Sequence, residues 1–167
     1  MIVAVMSDSH DNIKNIRTAL RIAKKENAEM IIHCGDFVAP FMLKELDAAG
    51  IPVHGVFGNN DGDQYMLTRM SILDLQNITL YGIIGEVDAD GFSIQFTHDQ
   101  RIAEGLAVSG NHDLVCCGHT HTYMQKQIKE TILLNPGEIM GKDGSPGYCL
   151  VDSKTSEIIR VKLKEIS

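Results

Sequence analysis

Three short apolar runs near the start of the chain, Ile2–Met6, Met30–Cys34 and Val53–Phe57, each give way to a turn carrying Asp, Asn or His. Continuous aliphatic runs of this length suit strands buried on both faces, as parallel strands are. Between them the period changes. Asn12 precedes apolar residues at Ile13, Ile16, Leu20 and Ala23, a helical spacing with Asn12 placed to cap it. Phe41–Ala49 predicts a short helix stopped by Gly50 and Pro52, and Gln64–Leu73 predicts another. Strands alternating with helices imply parallel pairing through right-handed crossovers.

The later sequence is richer in strands. Ile78–Tyr81, Ser93–Thr97, Leu114–Cys117, Tyr123–Ile128, Thr131–Asn135, Tyr148–Val151 and Glu157–Leu163 all fit the strand pattern, Asp90-Gly91 is a hairpin turn signal, and Ile102–Val108 is the intervening helix. A βαβ half followed by a β-rich half predicts an α/β fold, a four-layer α/β/β/α sandwich of two mixed β-sheets flanked by helices. With 167 residues and no linker, repeat or low-complexity segment, residues 1–167 are expected to form one domain.

Composition narrows the partners. Aromatic residues make up 5% and Trp is absent, so the core is expected to be aliphatic. A formal charge of −7 argues against general nucleic-acid binding, which needs a basic face, and leaves room for a small anionic substrate. Cys34, Cys116, Cys117 and Cys149 lie in apolar runs with no C-x-x-C pair, as buried thiols do. Ile2–Met6 is too short and lacks the basic flank of a signal segment, and no stretch approaches a membrane span, so a cytoplasmic location is expected.

Polar residues gather where the strands end. Asp8 and His10 follow the first strand, Gly35-Asp36 the second, and Gly58-Asn59-Asn60-Asp61 the third; Thr97-His98 and Gly118-His119-Thr120-His121 close two later ones. In α/β sheets, sites form outside the carboxyl ends of strands. Asp8 and His10 are two apart, as are His119 and His121, and in extended backbone such residues point the same way. Each pair is therefore expected to aim two ligands at one point, with Gly35, Gly58 and Gly118 allowing tight turns or close backbone approach. Carboxylate, imidazole and amide together suit a borderline transition metal such as Mn, Fe, Zn, Co or Ni. Asp8, His10, Asp36, Asn59, His98, His119 and His121 are too many for one tetrahedral ion. They suit two divalent ions about 3.5–4 Å apart sharing a carboxylate. Turn chemistry explains Asp and Asn here but does not demand His at four of these positions.

These strings, D-x-H, G-D, G-N-x-D, T-H and G-H-T-H in this order, resemble the calcineurin-like metallophosphoesterases. The short chain and Asn135-Pro136-Gly137 resemble the small bacterial and archaeal phosphodiesterase branch. The resemblance implies that Asp8, His10, Asp36 and His121 hold one metal, and that Asp36, Asn59, His98 and His119 hold the other, with Asp36 bridging. It implies hydrolysis of small phosphate esters, diesters first, by an activated hydroxide, with manganese ahead of Ni, Co, Fe or Zn. It also implies self-association as a homodimer or homotetramer. A phosphomonoesterase or nucleotidase is the alternative within the chemistry. A scaffold of the same fold, as in a retromer subunit, is the alternative outside it. A nuclease is disfavoured by the acidic charge.

The chain departs from the family pattern at Asn60, where many members carry the His assigned to the leaving group. Asn60 is taken as the catalytic position; it donates a hydrogen bond but cannot act as a general acid, which predicts slow turnover and a preference for aryl esters. Asp99, beside His98, is expected to be a solvated loop carboxylate, the alternative being that it orients His98. Gly110-Asn111-His112-Asp113 spells the family string more faithfully than Gly58–Asp61 does. It precedes a strand, however, and is read as a helix-ending turn with Gly110 at the C-cap. His33 and His54, inside or beside apolar strands, are not counted as ligands.

Overall fold

Strand β1 (Ile2–Met6) is central to the architecture because it hydrogen-bonds on both edges and buries both faces. In the computed structural model, which describes residues 1–163, it is followed by α1 (Ile13–Lys25), β2 (Met30–His33), α2 (Phe41–Asp47), β3 (Val53–Gly55), α3 (Gln64–Leu73) and β4 (Ile78–Leu80). Then come β5 (Ile84–Asp88), β6 (Ser93–Thr97), α4 (Gln100–Ser109), β7 (Leu114–Cys116), β8 (Met124–Ile128), β9 (Thr131–Asn135), β10 (Gly147–Asp152) and β11 (Glu157–Lys162).

These strands form a six-stranded sheet in the order β11-β10-β1-β2-β3-β4 and a five-stranded sheet in the order β5-β6-β7-β9-β8. Pairing from β1 to β4 is parallel, as the alternation of strand and helix predicts, and β10 and β11 add antiparallel edges. The second sheet is parallel across β6, β7 and β9 and antiparallel at both rims. The fold is thus the expected sandwich of two mixed sheets with helices outside.

Alternation along each strand divides the apolar side chains among three layers. Ala4 and Met6 of β1 and Ile31 of β2 pack with Ile16, Leu20, Leu43, Leu46 and Leu67 from α1, α2 and α3. Val3, Val5 and Ile32 face the other way and meet Ile94, Phe96, Leu114, Cys116 and Leu134 of the second sheet. Val115 and Leu133, on the outer face of that sheet, pack with Cys117 against Ala103 and Ala107 of α4. All four cysteines are free and buried, and burial pushes each thiol up. The core is less purely aliphatic than composition suggests, since Tyr148, Phe37 and Phe96 are its largest fully buried side chains.

Two local differences from expectation matter. Strand β5 is absent from the pattern read in the sequence: Gly85, Glu86 and Asp88 interrupt its apolar alternation, and it forms only as an edge paired to β6. Strands β2, β3 and β7 also end before Cys34, Val56 and Cys117, because the chain leaves each ladder to begin a turn into the site. Helix ends follow local chemistry. Asn12 Oδ1 accepts from Asn15 N at 3.1 Å, and Gly110 adopts the left-handed C-cap at φ 73°.

Candidate metal centre

The turns leaving β1, β2, β3, β6 and β7 meet at one rim, where the two sheets open toward solvent. Their backbone is not extended. Asp8, His10, Asp36, His119 and His121 have φ of 53°, 39°, 59°, 69° and 59°. Non-glycine residues seldom take these values, and each costs on the order of 1–3 kcal/mol, a strain characteristic of functional sites. This corrects the expectation that i and i+2 spacing in extended backbone aims each pair at one point. Asp8 and His10 do meet, but His119 and His121 turn to different groups. Close approach does hold at all three glycines: Gly35 has φ 92° and a Cβ on it would lie 2.7 Å from Gly58 N. A Cβ on Gly118 would overlap Ser7 Oγ and lie 2.7 Å from Asp8 Oδ2, and one on Gly58 would overlap the Asp36 carboxylate.

Asp8, His10, Asp36 and His121 each offer a ligand atom within 4.8 Å of the others. Asp8 Oδ1 lies 3.8 Å from His10 Nε2 and 3.4 Å from His121 Nε2. Both Asp8 Oδ1 and His10 Nε2 are buried without a hydrogen-bond partner. Leaving buried polar atoms unpaired is costly, and a divalent cation among them would satisfy both. Burial pushes the Asp8 carboxyl up, but the neighbouring His10, Ser7, His98 and His121 side chains outweigh it, and the net shift is down. Asp8 beside His10 holds that imidazole above its ordinary value, against burial. An anionic Asp8 suits cation binding.

A second group lies across Asp36. Asn59 Oδ1 is 2.9 Å from His98 Nε2 and 2.7 Å from His119 Nδ1. His98 donates Nδ1–H to the Cys34 carbonyl at 2.8 Å, so Nε2 is the nitrogen that faces Asn59 and Asp36. Asp36, 1% exposed, stands between the groups, its Oδ2 3.2 Å from His10 Nε2 and 3.5 Å from His98 Nε2. All seven ligand candidates therefore converge, in two groups that meet at one carboxylate. The donor set fits two divalent ions.

Supporting residues complete the rim. Asp61, buried, accepts from Asp36 N at 3.1 Å, Gly58 N at 2.7 Å and Val38 N at 2.7 Å, tying the two turns together. Its G-N-x-D position marks it in the sequence, but its role is visible only in three dimensions. Asn135 Nδ2 donates to the Gly118 carbonyl at 2.8 Å and fixes the turn before His119, which gives the Asn135-Pro136-Gly137 segment a structural task at the site. Glu138 is buried with its Oε2 2.9 Å from His121 Nδ1. Nothing in the local sequence signals it.

Three sequence expectations change or gain detail. Asn60 donates both its backbone N–H and its Nδ2–H to the Asp36 carboxylate, each at 2.8 Å, so its amide holds a central ligand of the site. Asp99 is a solvent-accessible loop carboxylate, as expected, and makes no hydrogen bond to His98; its task is to N-cap α4, accepting from Arg101 N at 2.7 Å and pairing with the Arg101 guanidinium at 2.9 Å. The Gly110–Asp113 string lies away from the site, with Asp113 accepting from Ser93 N at 2.7 Å. His33 stacks on Phe37 and shares a 3.1 Å hydrogen bond with Ser9, while His54 pairs with the Tyr81 hydroxyl. A groove beside Asn59, His98 and His119 is lined by Phe57, Gln64, Ile83 and Arg101.

A profile of the calcineurin-like phosphoesterase superfamily domain matches residues 1–156. The chain belongs to this superfamily. A relative from Methanocaldococcus jannaschii, named a phosphodiesterase, is 35% identical over 98% of this chain and 100% of its own. The solved structure of an archaeal phosphodiesterase superposes with a TM-score of 0.88 at 33% identity, covering 98% of this chain and 100% of that one. Two more distant structures share the fold of this chain. The Escherichia coli phosphoesterase Yfce has a TM-score of 0.70 at 18% identity, covering 98% of this chain and 100% of that one. Entamoeba histolytica Vps29 complexed with Zn2+ has a TM-score of 0.71 at 18% identity, covering 100% and 95%. The Asp and His cluster of this superfamily member is compatible with a binuclear metal site.

Proposed function

We propose that this chain is a cytoplasmic metal-dependent phosphodiesterase that hydrolyses small phosphate diesters, acting through one metallophosphoesterase domain. The observation that carries the reading is the position of Asp36, one buried carboxylate between two groups of imidazole and amide ligands. Asp8, His10, Asp36 and His121 would hold one divalent ion, and Asp36, Asn59, His98 and His119 the other. The family resemblance puts manganese first, and oxygen and imidazole donors without thiolate also accept Ni, Co, Fe or Zn. Two such ions would supply an activated water and offset the charge growing on the phosphoryl oxygens. The protein's part is to set the ligands in strained turns before substrate arrives.

Asn60 is the residue that shapes the chemistry. Its amide carries no proton it can surrender, so it can orient Asp36 and donate a hydrogen bond but cannot protonate a departing alkoxide. Esters whose leaving group departs as a stable anion are therefore favoured. The groove lined by Phe57, Gln64, Ile83 and Arg101 is proposed to receive the ester substituent. The net charge of −7 supports small substrates over stable nucleic-acid binding.

The test is to strip the purified protein with a chelator, reload it with Mn, Ni, Co or Zn, count bound metal and assay aryl phosphodiesters and phosphomonoesters. Two ions per chain and faster diester cleavage are expected. Faster monoester cleavage would favour the nucleotidase alternative. Two bound ions with no hydrolysis under any metal would favour the scaffold. Size-exclusion chromatography reads the proposed homodimer or homotetramer.

A further inference from the structure

We propose that Glu138 is a positioning residue that fixes the tautomer of His121 and so selects which imidazole nitrogen faces the first metal position. The inference rests on the two-metal reading above and adds a residue that lies outside that ligand set. Glu138 is 1% exposed. Its two carboxylate oxygens have separate duties. Oε1 accepts from Asp143 N at 2.7 Å and Gly144 N at 2.8 Å. Oε2 stands 2.9 Å from His121 Nδ1. The same segment is tied to the turn carrying Asp8, since Ile139 N donates to the Ser7 carbonyl and Met140 N to the Asp8 carbonyl, each at 3.0 Å. Glu138 therefore reaches His121 from a braced backbone.

A carboxylate oxygen accepts only, so it draws the neutral ring's proton to Nδ1 and leaves the lone pair on Nε2. Nε2 is the atom that faces Asp8 Oδ1, at 3.4 Å. His98 has its Nδ1–H held by the Cys34 carbonyl, a backbone group no side-chain change removes. His121 depends on a side chain, and on a charged one, which makes a stronger hydrogen bond. The effect of Glu138 is accordingly confined to the Asp8, His10 and His121 group.

His121, Glu138 and Asp143 also lie close enough together to suggest a separate cation site. The hydrogen bonding argues against it. Glu138 Oε1 already accepts two backbone N–H groups, and a cation on Nδ1 would leave the Nε2 that faces Asp8 protonated in a neutral ring. Asp143 Oδ2 approaches Nδ1 at 3.1 Å but belongs to a side chain 58% exposed, where water competes for it.

Glu138→Gln discriminates because it preserves shape. With its oxygen retained by Asp143 N and Gly144 N, the glutamine turns its NH2 toward His121 Nδ1, which must then accept, and the proton moves to Nε2. Long-range 1H–15N NMR on metal-free protein at about pH 8, where a His is ordinarily neutral, is expected to show His121 protonated on Nδ1 in the wild type and on Nε2 in E138Q. Manganese titration of both proteins is expected to show one of two sites weakened about 10–100-fold in E138Q and the other unchanged. Asp143→Ala is expected to leave tautomer and affinities as in the wild type. Protonation of wild-type His121 on Nε2 would overturn the proposal. So would wild-type affinities at both sites in E138Q, an equal loss in D143A, or a third bound ion lost with Asp143. If the wild type binds no metal, the two-metal reading fails, while the tautomer measurement still decides what Glu138 does to His121.

Discussion

Single side chains at this rim divide into those that offer lone pairs to a shared point and those that hold them in place. Asn60 belongs to the second kind by its contacts with Asp36, and its chemistry sets a limit on the reaction. Replacing it with a proton donor tests that limit. Asn60→His is expected to raise turnover of alkyl phosphodiesters by on the order of 10²-fold, the lower end of general acid contributions, while changing aryl substrates far less; the ratio of the two rates is the readout. Asp61 is the clearest structural case. Its carboxylate answers three backbone donors, and truncation leaves them without it. Asp61→Ala is expected to lower the unfolding free energy by about 3 kcal/mol or more, read by urea denaturation, with Asp61→Asn costing less because one acceptor survives.

Among the elements, α4 shows how a local rule decides a position that the sequence leaves with two readings. Asp99 sits beside a ligand, yet its carboxylate caps the helix and pairs with Arg101. The Arg101 guanidinium and backbone N–H groups hold the Asp99 carboxyl well below its ordinary 3.8, at about 2. A carboxyl depressed on folding contributes stability that is present above its unfolded value and is lost as pH falls through its folded value. Asp99→Ala is therefore expected to cost about 1 kcal/mol at neutral pH, the usual worth of an N-cap. The difference from wild type should shrink as pH falls from about 4 and be lost below about 2, measured by unfolding across that range. The exposed Arg101 arm adds little to this figure.

At the scale of the molecule, the candidate site is a seam. Asp8, His10, Asp36 and Asn59 come from turns of the six-stranded sheet, and His98, His119 and His121 from turns of the five-stranded one. Ions bound there would tie the sheets together at a rim where the apolar layer between them ends. Chelation is expected to lower the melting temperature. Metal restored at about a hundred times its dissociation constant should return about 2.7 kcal/mol, and Asp36→Ala should abolish that response. A thermal melt with and without chelator reads both effects.

Much of this is legible in the sequence. Local rules act over a few residues, and they placed the Asn12 and Gly110 caps, the bounds of α3, β6 and β9, and the parallel order of β1 to β4. The seven candidate ligands could be named because each closes a strand, and strand ends share a rim. Tertiary structure decided what spacing cannot carry. His119 and His121 part company on a backbone that is left-handed, where i, i+2 spacing no longer aims two side chains alike. Strand β5 exists because β6 lends it hydrogen bonds its own residues would not secure. Glu138 reaches His121 across 17 residues, and Asn60 turns to Asp36 across 24. Sequence fixes what each residue can donate, accept or bury; only the folded chain decides which partner is within three ångströms, because hydrogen bonds and coordination depend on distance and angle.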